Sequence, residues 1–330
     1  MDAAGILVDA LRAAVSLEAA VYALAAIGLN VHFGYTGLLN FGQVGFMLVG
    51  AYGVAATVAT YGLPLWVGVA VGVALAVVLA LCLGVPTLRL RADYLAITTI
   101  AASEILRLLF RSELMRPVTN GVFGLQRFAD SFYSINPLPE RRYGIGRLTF
   151  GHDRLWATLV AWALAAACAV VVARLASSPW GRVLRSIRDD EDAARALGKN
   201  VFAVKLQSLA VGGVAGALAG MMLAIGQQAA SPDTYVPAVT FFAYTLLILG
   251  GPATAWGPVL GAVLFSFVVA GADTLLREAI AAGVVPGGVL ASDQVGAVRF
   301  ALVGLGLMLL VVFRPQGILG DRRETTLDAG

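Results

Sequence analysis

Apolar residues run along this chain in long blocks, interrupted by two hydrophilic stretches. No Asp, Glu, Lys or Arg occurs from 19 to 88, from 206 to 232 or from 234 to 272. A helix needs about 20 apolar residues to cross the hydrocarbon core of a bilayer. The first block is therefore long enough for three crossings, with turns available at 32–37 and 61–64. The whole pattern resolves into nine apolar segments: 15–31, 41–60, 65–85, 94–110, 155–172, 206–226, 236–250, 256–272 and 300–313. The seventh and ninth are short for full crossings. A broken or re-entrant segment is tolerated only where protein or a cavity covers its backbone. The expected fold is an all-α membrane protein, a polytopic helical bundle of eight or nine transmembrane segments forming one domain over residues 1–330.

The hydrophilic stretches, 111–154 and 174–205, follow the fourth and fifth segments and so lie on opposite sides of the membrane. Arg89, Arg91 and Arg314 stand at segment ends on the side of the second stretch. Positive charge close to span ends marks the cytoplasmic side. The loop 174–205 and the carboxyl terminus are thus expected in the cytoplasm, with 111–154 outside, partly across the outer mouth. Close helix packing is expected at Gly68 and Gly72, at Gly212, Gly216 and Gly220, and at Gly257 and Gly261, because small residues four apart let backbones approach. The glycine-rich breaks at 35–53 and 244–261 resemble each other faintly, and paired breaks in two halves point to a transport site.

Composition supports this picture and excludes others. Of 330 residues, 59% are hydrophobic and 13% charged, and the mean hydropathy is +0.84. A soluble domain carries about a quarter charged residues. The net charge of +3 is spread over loops with no aromatic-basic stripe, so no nucleic-acid partner is expected. Cys82 and Cys168 lie in apolar runs and read as small buried hydrophobes. His32 and His152 are too few and too far apart for a metal site, and no cofactor is expected. The first apolar run lacks a small-residue cleavage site and reads as a retained span. No GxxxxGK[ST] phosphate loop is found: Gly198–Lys199 is followed by Asn200, and Ala193 stands where the first glycine would be. Any ATP is then bound by another chain, and the protein itself is expected to have no catalytic site.

The stretch 177–207 reads SSPWGRVLRSIRDDEDAARALGKNVFAVKLQ. Pro179 and Gly181 break the preceding span. Ser186 followed by Asp189 fits a capping box, and Asp189, Asp190, Glu191 and Asp192 place acidic charge in a first helical turn. Ala193, Ala194, Arg195, Ala196 and Leu197 favour helix, and Gly198 fits the left-handed position just past its end. The pattern predicts one stiff, doubly capped helix over 186–197, with Ile187 and Arg188 in its first turn.

This stretch resembles the cytoplasmic coupling loop of the branched-chain amino-acid ABC permease family, LivM-like branch. So do 28–53 (GLNVHFGYTGLLNFGQVGFMLVGAYG), 86–109 (PTLRLRADYLAITTIAASEILRLL) and 313–319 (FRPQGIL), in the family's order. The resemblance implies a permease in the bacterial plasma (inner) membrane. It implies a homologous second permease subunit, two cytoplasmic ATPase subunits that receive the 186–197 helix in a groove, and an extracytoplasmic substrate-binding protein. Branched-chain or other small neutral amino acids are the expected cargo. Urea or a short-chain amide is the alternative within the family, and a stand-alone secondary transporter is the alternative outside it.

Polar residues inside apolar segments are the candidates for lining a pathway, because such groups face the protein interior or a wet cavity. They are Asn30, Gln43, Thr98, Thr99, Ser103 and Glu104. Glu104 shares a helix face with Arg107, three residues on.

Overall fold

The structure is a computed structural model that describes residues 3–89, 92–145, 148–281 and 316–320, with eight isolated positions between 296 and 313. The amino-terminal half comprises α1 (Ala3–Ala14), α2 (Leu17–Leu29), α3 (Gln43–Ala59), α4 (Leu65–Thr87) and α5 (Ala92–Arg111). A connection follows with small elements: α6 (Arg116–Thr119), β1 (Leu125–Gln126), α7 (Asp130–Ser134), β2 (Tyr143–Ile145) and β3 (Leu148–Phe150). Then come α8 (His152–Ser177), α9 (Pro179–Asp189), α10 (Glu191–Ala196), α11 (Val201–Gln227), β4 (Ala229–Ala230), α12 (Pro237–Gly250) and α13 (Gly257–Ala281). The strands form two minimal antiparallel pairs, β2 with β3 and β1 with β4. The second pair joins the 111–154 connection to the chain leaving α11.

Eight of the nine expected segments each fall on one helix, and 300–313 lies largely outside the described residues. Six helical stretches among the described residues are long and apolar enough to cross a membrane. The 17-residue α3 is shorter, and α5 carries Asp93, Glu104, Arg107 and Arg111. Helix α1 was not expected. Its Asp9 and Arg12 depress the local hydropathy, and it packs against α13.

Two kinds of helix build the bundle. Almost every residue of α2 and α3 is buried, as an all-round apolar helix requires. By contrast, α4 buries a single stripe of small residues four apart: Gly68, Gly72, Ala76, Ala80 and Gly84. Helix α8 does the same with Ala157, Ala161, Ala165 and Ala169. Their other faces expose Val78, Leu81, Val85, Leu159 and Val171. Water would penalise so much exposed apolar surface, and lipid does not. Cys82 is on such a face and is exposed, contrary to the expectation of burial. It stands two residues from Ala80 and from Gly84, about 200° around the helix from the packed stripe, and so faces lipid.

The glycines sit where backbones touch. A Cβ on Gly220 would overlap the Met47 carbonyl, one on Gly50 the Ala217 carbonyl, and one on Gly53 the Gly72 Cα. Helices α3, α4 and α11 therefore meet at backbone distance, as the four-residue spacings predict.

Candidate transport site and coupling elbow

Helix α2 does not end cleanly. It continues as a π-helical segment, Asn30–Tyr35, and the chain then runs without regular structure until α3 begins at Gln43. Opening the helix frees backbone groups at membrane depth, and each needs a partner. Polar side chains supply them. Asn40 Oδ1 accepts the Gly42 N–H at 3.0 Å, which fixes the orientation of the Asn40 amide. Asn40 Nδ2 then lies 3.1 Å from His32 Nδ1 and 3.2 Å from Gln43 Oε1, as donor to both. Because His32 Nδ1 accepts, its proton sits on Nε2, which faces the Leu209 carbonyl at 3.2 Å. Gln43 Nε2 ends the chain by donating to the Gly212 carbonyl at 3.0 Å.

The network is dry and crowded. Asn30, His32, Gln43 and Ser208 have no accessible surface. A Cβ on Gly212 would overlap His32 Nε2 and the Gly28 carbonyl, and one on Gly28 would overlap Gln43 Nε2. Thr36 donates to the Val31 carbonyl at 2.8 Å and meets Ser208 Oγ at 2.7 Å. Helix α3 is anchored at its start by Phe41 N–H to Thr99 Oγ1 (3.1 Å) and Val44 N–H to Thr240 Oγ1 (3.0 Å).

A second break, between α12 and α13, meets the first. Asn30 Nδ2 donates to the Thr254 carbonyl at 2.7 Å, and Asn30 Oδ1 accepts the Ala253 N–H at 2.8 Å. Tyr244 on α12 donates to the Asn40 carbonyl at 3.1 Å and stacks on Phe41 with ring centroids 4.6 Å apart. The two glycine-rich breaks singled out in the sequence therefore touch.

Of the six sequence-proposed lining residues, the structure gathers Asn30, Gln43 and Thr99 at the breaks. Thr98 bonds back to the Tyr94 carbonyl of its own helix, and Ser103 to Ile100. Glu104 and Arg107 pair, with Nε to Oε2 at 3.0 Å. Arg107 also reaches Asp233 at 2.8 Å, so the pair ties α5 to the turn before α12. His32, Thr36, Asn40, Ser208, Thr240 and Tyr244 were missed. Each is a polar group in or beside a charge-free apolar run, a signal that applied to them as well as to Asn30.

The stretch 174–205 departs from expectation in one respect. Instead of a single helix over 186–197 there are two, α9 and α10, with an elbow at Asp190. Ser186 is no cap. Its hydroxyl bonds to the Val183 carbonyl inside α9, which Pro179 starts at its first turn. Asp190, with φ −155° and ψ 107°, is the true cap, accepting the Asp192 and Ala193 N–H groups at 2.9 Å each. Its acceptor oxygen reaches those donors only from an extended backbone, so the acidic run breaks the helix it was expected to start. At the far end Gly198 has φ +76°, with Gly198 N–H to Arg195 and Lys199 N–H to Ala194, a Schellman closure.

Ala194 lies in the stretch that the resemblance places in an ATPase groove, but it is buried against Ile187 and Val201. It staples the elbow shut and is unavailable to a partner. Leu197 is 78% exposed, and Ala193 is exposed beside it. Arg188 links the elbow to the bundle. Its Nη1 donates to the Gly34 carbonyl of the π segment at 2.7 Å, and its side-chain stem packs beside Gly37.

The model of the family described as "Branched-chain amino acid transport system / permease component" matches residues 11–312. The chain belongs to this family. The permease is 30% identical over 310 residues to the high-affinity branched-chain amino acid transport system permease protein LivM of Salmonella typhimurium, covering 91% of this chain and 68% of that one. The Escherichia coli protein of the same name matches at the same identity and coverage. A probable branched-chain amino acid transport permease protein LivM of Methanocaldococcus jannaschii is 25% identical over 340 residues, covering 92% and 91%. The permease is thus the transmembrane subunit of an ABC importer, a multi-pass protein of the plasma membrane, and a transport component by family.

Proposed function

We propose that this permease carries branched-chain or other small neutral amino acids inward, paired with a homologous permease. Two cytoplasmic ATPase subunits drive it, and an extracytoplasmic binding protein delivers the cargo. In this reading the elbow α9–α10 is cytoplasmic and docks on an ATPase through Leu197 and Ala193. The 111–154 connection lies outside, where it presents Phe123 and Ile135, which are 72% and 71% exposed. The paired breaks around Asn30, Gln43 and Thr99 form the part of the pathway that changes shape.

The observation that carries the coupling is the hydrogen bond from Arg188 to Gly34. The elbow is stiff, capped by Asp190 and closed at Gly198, so a push on α10 moves α9 as a unit. Arg188 passes that displacement to the one place where α2 is already unwound. A floppy loop would absorb the motion, and an unbroken helix would resist it.

The test is uptake into proteoliposomes containing the permease, its homologue and the ATPases, with binding protein outside. Labelled leucine is expected to enter in the presence of ATP, and Leu197→Glu is expected to lose ATPase association and most uptake at unchanged expression. Near-normal uptake by Leu197→Glu would sink the docking assignment. Entry of urea or acetamide but not leucine would move the substrate class.

A further inference from the structure

At the elbow end of the bundle a cavity of about 650 Å³ opens between the last turn of α4, the outer side of α10 and the first turns of α11. Leu88 and Arg89 form one wall, Glu191 and Arg195 a second, Lys199 and Phe202 a third. The charges do not balance. Lys205 pairs with Glu191, and Arg195 with Glu191 and Asp192. Arg89 and Lys199 have no carboxylate partner among the described residues, and Arg89 instead lies over the Phe202 ring, 5.8 Å from its centroid. Two positive charges are left facing one cavity.

Behind this charged lining lies apolar packing. Leu88 belongs to a buried cluster with Leu38 and Leu95, against which Phe202 and Leu206 pack. Val78, Leu81 and Val85 precede Leu88 on the same arc of α4, at spacings of three and four, and all three are exposed. Leu88 itself is buried, so the apolar track that faces lipid on α4 ends at Val85, one turn before Arg89. A small soluble anion would satisfy Arg89 and Lys199 but leave the track unused. A molecule with a phosphate head and a hydrocarbon tail uses both.

We propose that this cavity holds the phosphate of an anionic phospholipid between Arg89 and Lys199, its acyl chain lying along Val78, Leu81 and Val85. The lipid bridges α4 to the elbow, because Glu191 and Arg195 of α10 form the facing wall. Occupancy restrains the elbow relative to the bundle and makes coupled transport dependent on anionic lipid. The inner-leaflet location rests on the orientation proposed above, while binding itself does not.

The test is native mass spectrometry of the intact complex with added phosphatidylglycerol or phosphatidylcholine, for wild type, Arg89→Lys and the double variant Arg89→Gln/Lys199→Gln. Phosphatidylglycerol is expected to be retained by wild type and by Arg89→Lys. The double variant is expected to bind it about fivefold more weakly for each cation removed, equivalent to about 1 kcal/mol each. ATP-driven uptake in vesicles should rise with phosphatidylglycerol for wild type and not for the double variant. Equal retention by wild type and the double variant would overturn the site. Displacement of the lipid by millimolar inorganic phosphate would assign the cations to a soluble anion instead. Loss of ATPase subunits from the double variant in pure phosphatidylcholine would make the face a protein contact. Failure of leucine uptake by wild type in every lipid would overturn the cargo while leaving lipid retention intact.

Discussion

The break between α2 and α3 and the elbow between α9 and α10 are both interruptions of helix, yet they are held by opposite means. The break is buried. Its amides, imidazole and hydroxyls form a directional chain from Gly42 through Asn40 and His32 to Leu209, with Gln43 branching to Gly212. The elbow is at the surface. At the bend itself the dry contact is the small cluster of Ile187, Ala194 and Val201, and the Arg195 ion pairs are largely exposed. Buried hydrogen bonds are costly to leave unmade, so the break rearranges between discrete states or not at all. Exposed ion pairs contribute about 0–1 kcal/mol each, so the elbow can change its surroundings cheaply while keeping its own shape. In the coupling proposed above the elbow is the lever and the break is the region that responds, and Arg188 is where the two meet.

Breaking the inner region should have the largest effect. Gly212→Leu drives a side chain into His32 and the Gly28 carbonyl, and overpacking of this kind costs about 1–3 kcal/mol even where neighbours relax. Here one neighbour is backbone, so α2 and α11 must separate. The variant is expected to yield little folded protein, as read by size-exclusion profile and melting temperature in detergent. Wild-type melting behaviour would mean that the break is looser than its packing implies.

Cutting the link is expected to act on function more than on stability. Arg188→Ala removes a charge-assisted bond, a class worth about 1.5–3 kcal/mol, from a side chain that is 22% exposed. A modest fall in melting temperature should accompany a several-fold drop in uptake per ATP hydrolysed. If uptake and hydrolysis fall in proportion, Arg188 holds the complex together without transmitting motion.

The smallest effect belongs to the elbow surface. Asp192 is 89% exposed and pairs with Arg195, so Asp192→Asn should shift stability by less than about 1 kcal/mol and leave uptake near normal. A severe uptake defect at normal stability would mark Asp192 itself as a contact with the ATPase, and would sharpen the docking face beyond Leu197.

The unbroken apolar runs and their glycine spacings determined the helical, membrane-spanning architecture, because charge-free apolar blocks of that length are long enough to cross a bilayer and small residues four apart lie on one helix face whatever surrounds them. They also placed the two breaks, since glycine-rich stretches between apolar runs leave few alternatives. The meeting of those breaks through Asn30, Ala253 and Thr254, across 223 and 224 residues of sequence, was decided only by the packing of α2 against the turn before α13. The same holds for His32, whose partners lie on three separate segments. At the elbow, the sequence pattern points to Ser186 as the cap, yet Asp190 meets the same local rule, an acceptor side chain followed by acidic residues. The contact of Ala194 with Ile187 and Val201 selected Asp190, because only a bend there turns both apolar residues toward α11. Periodicity is a property of neighbours along the chain, whereas a choice between two adequate caps, or a hydrogen bond between distant segments, depends on what the fold brings alongside.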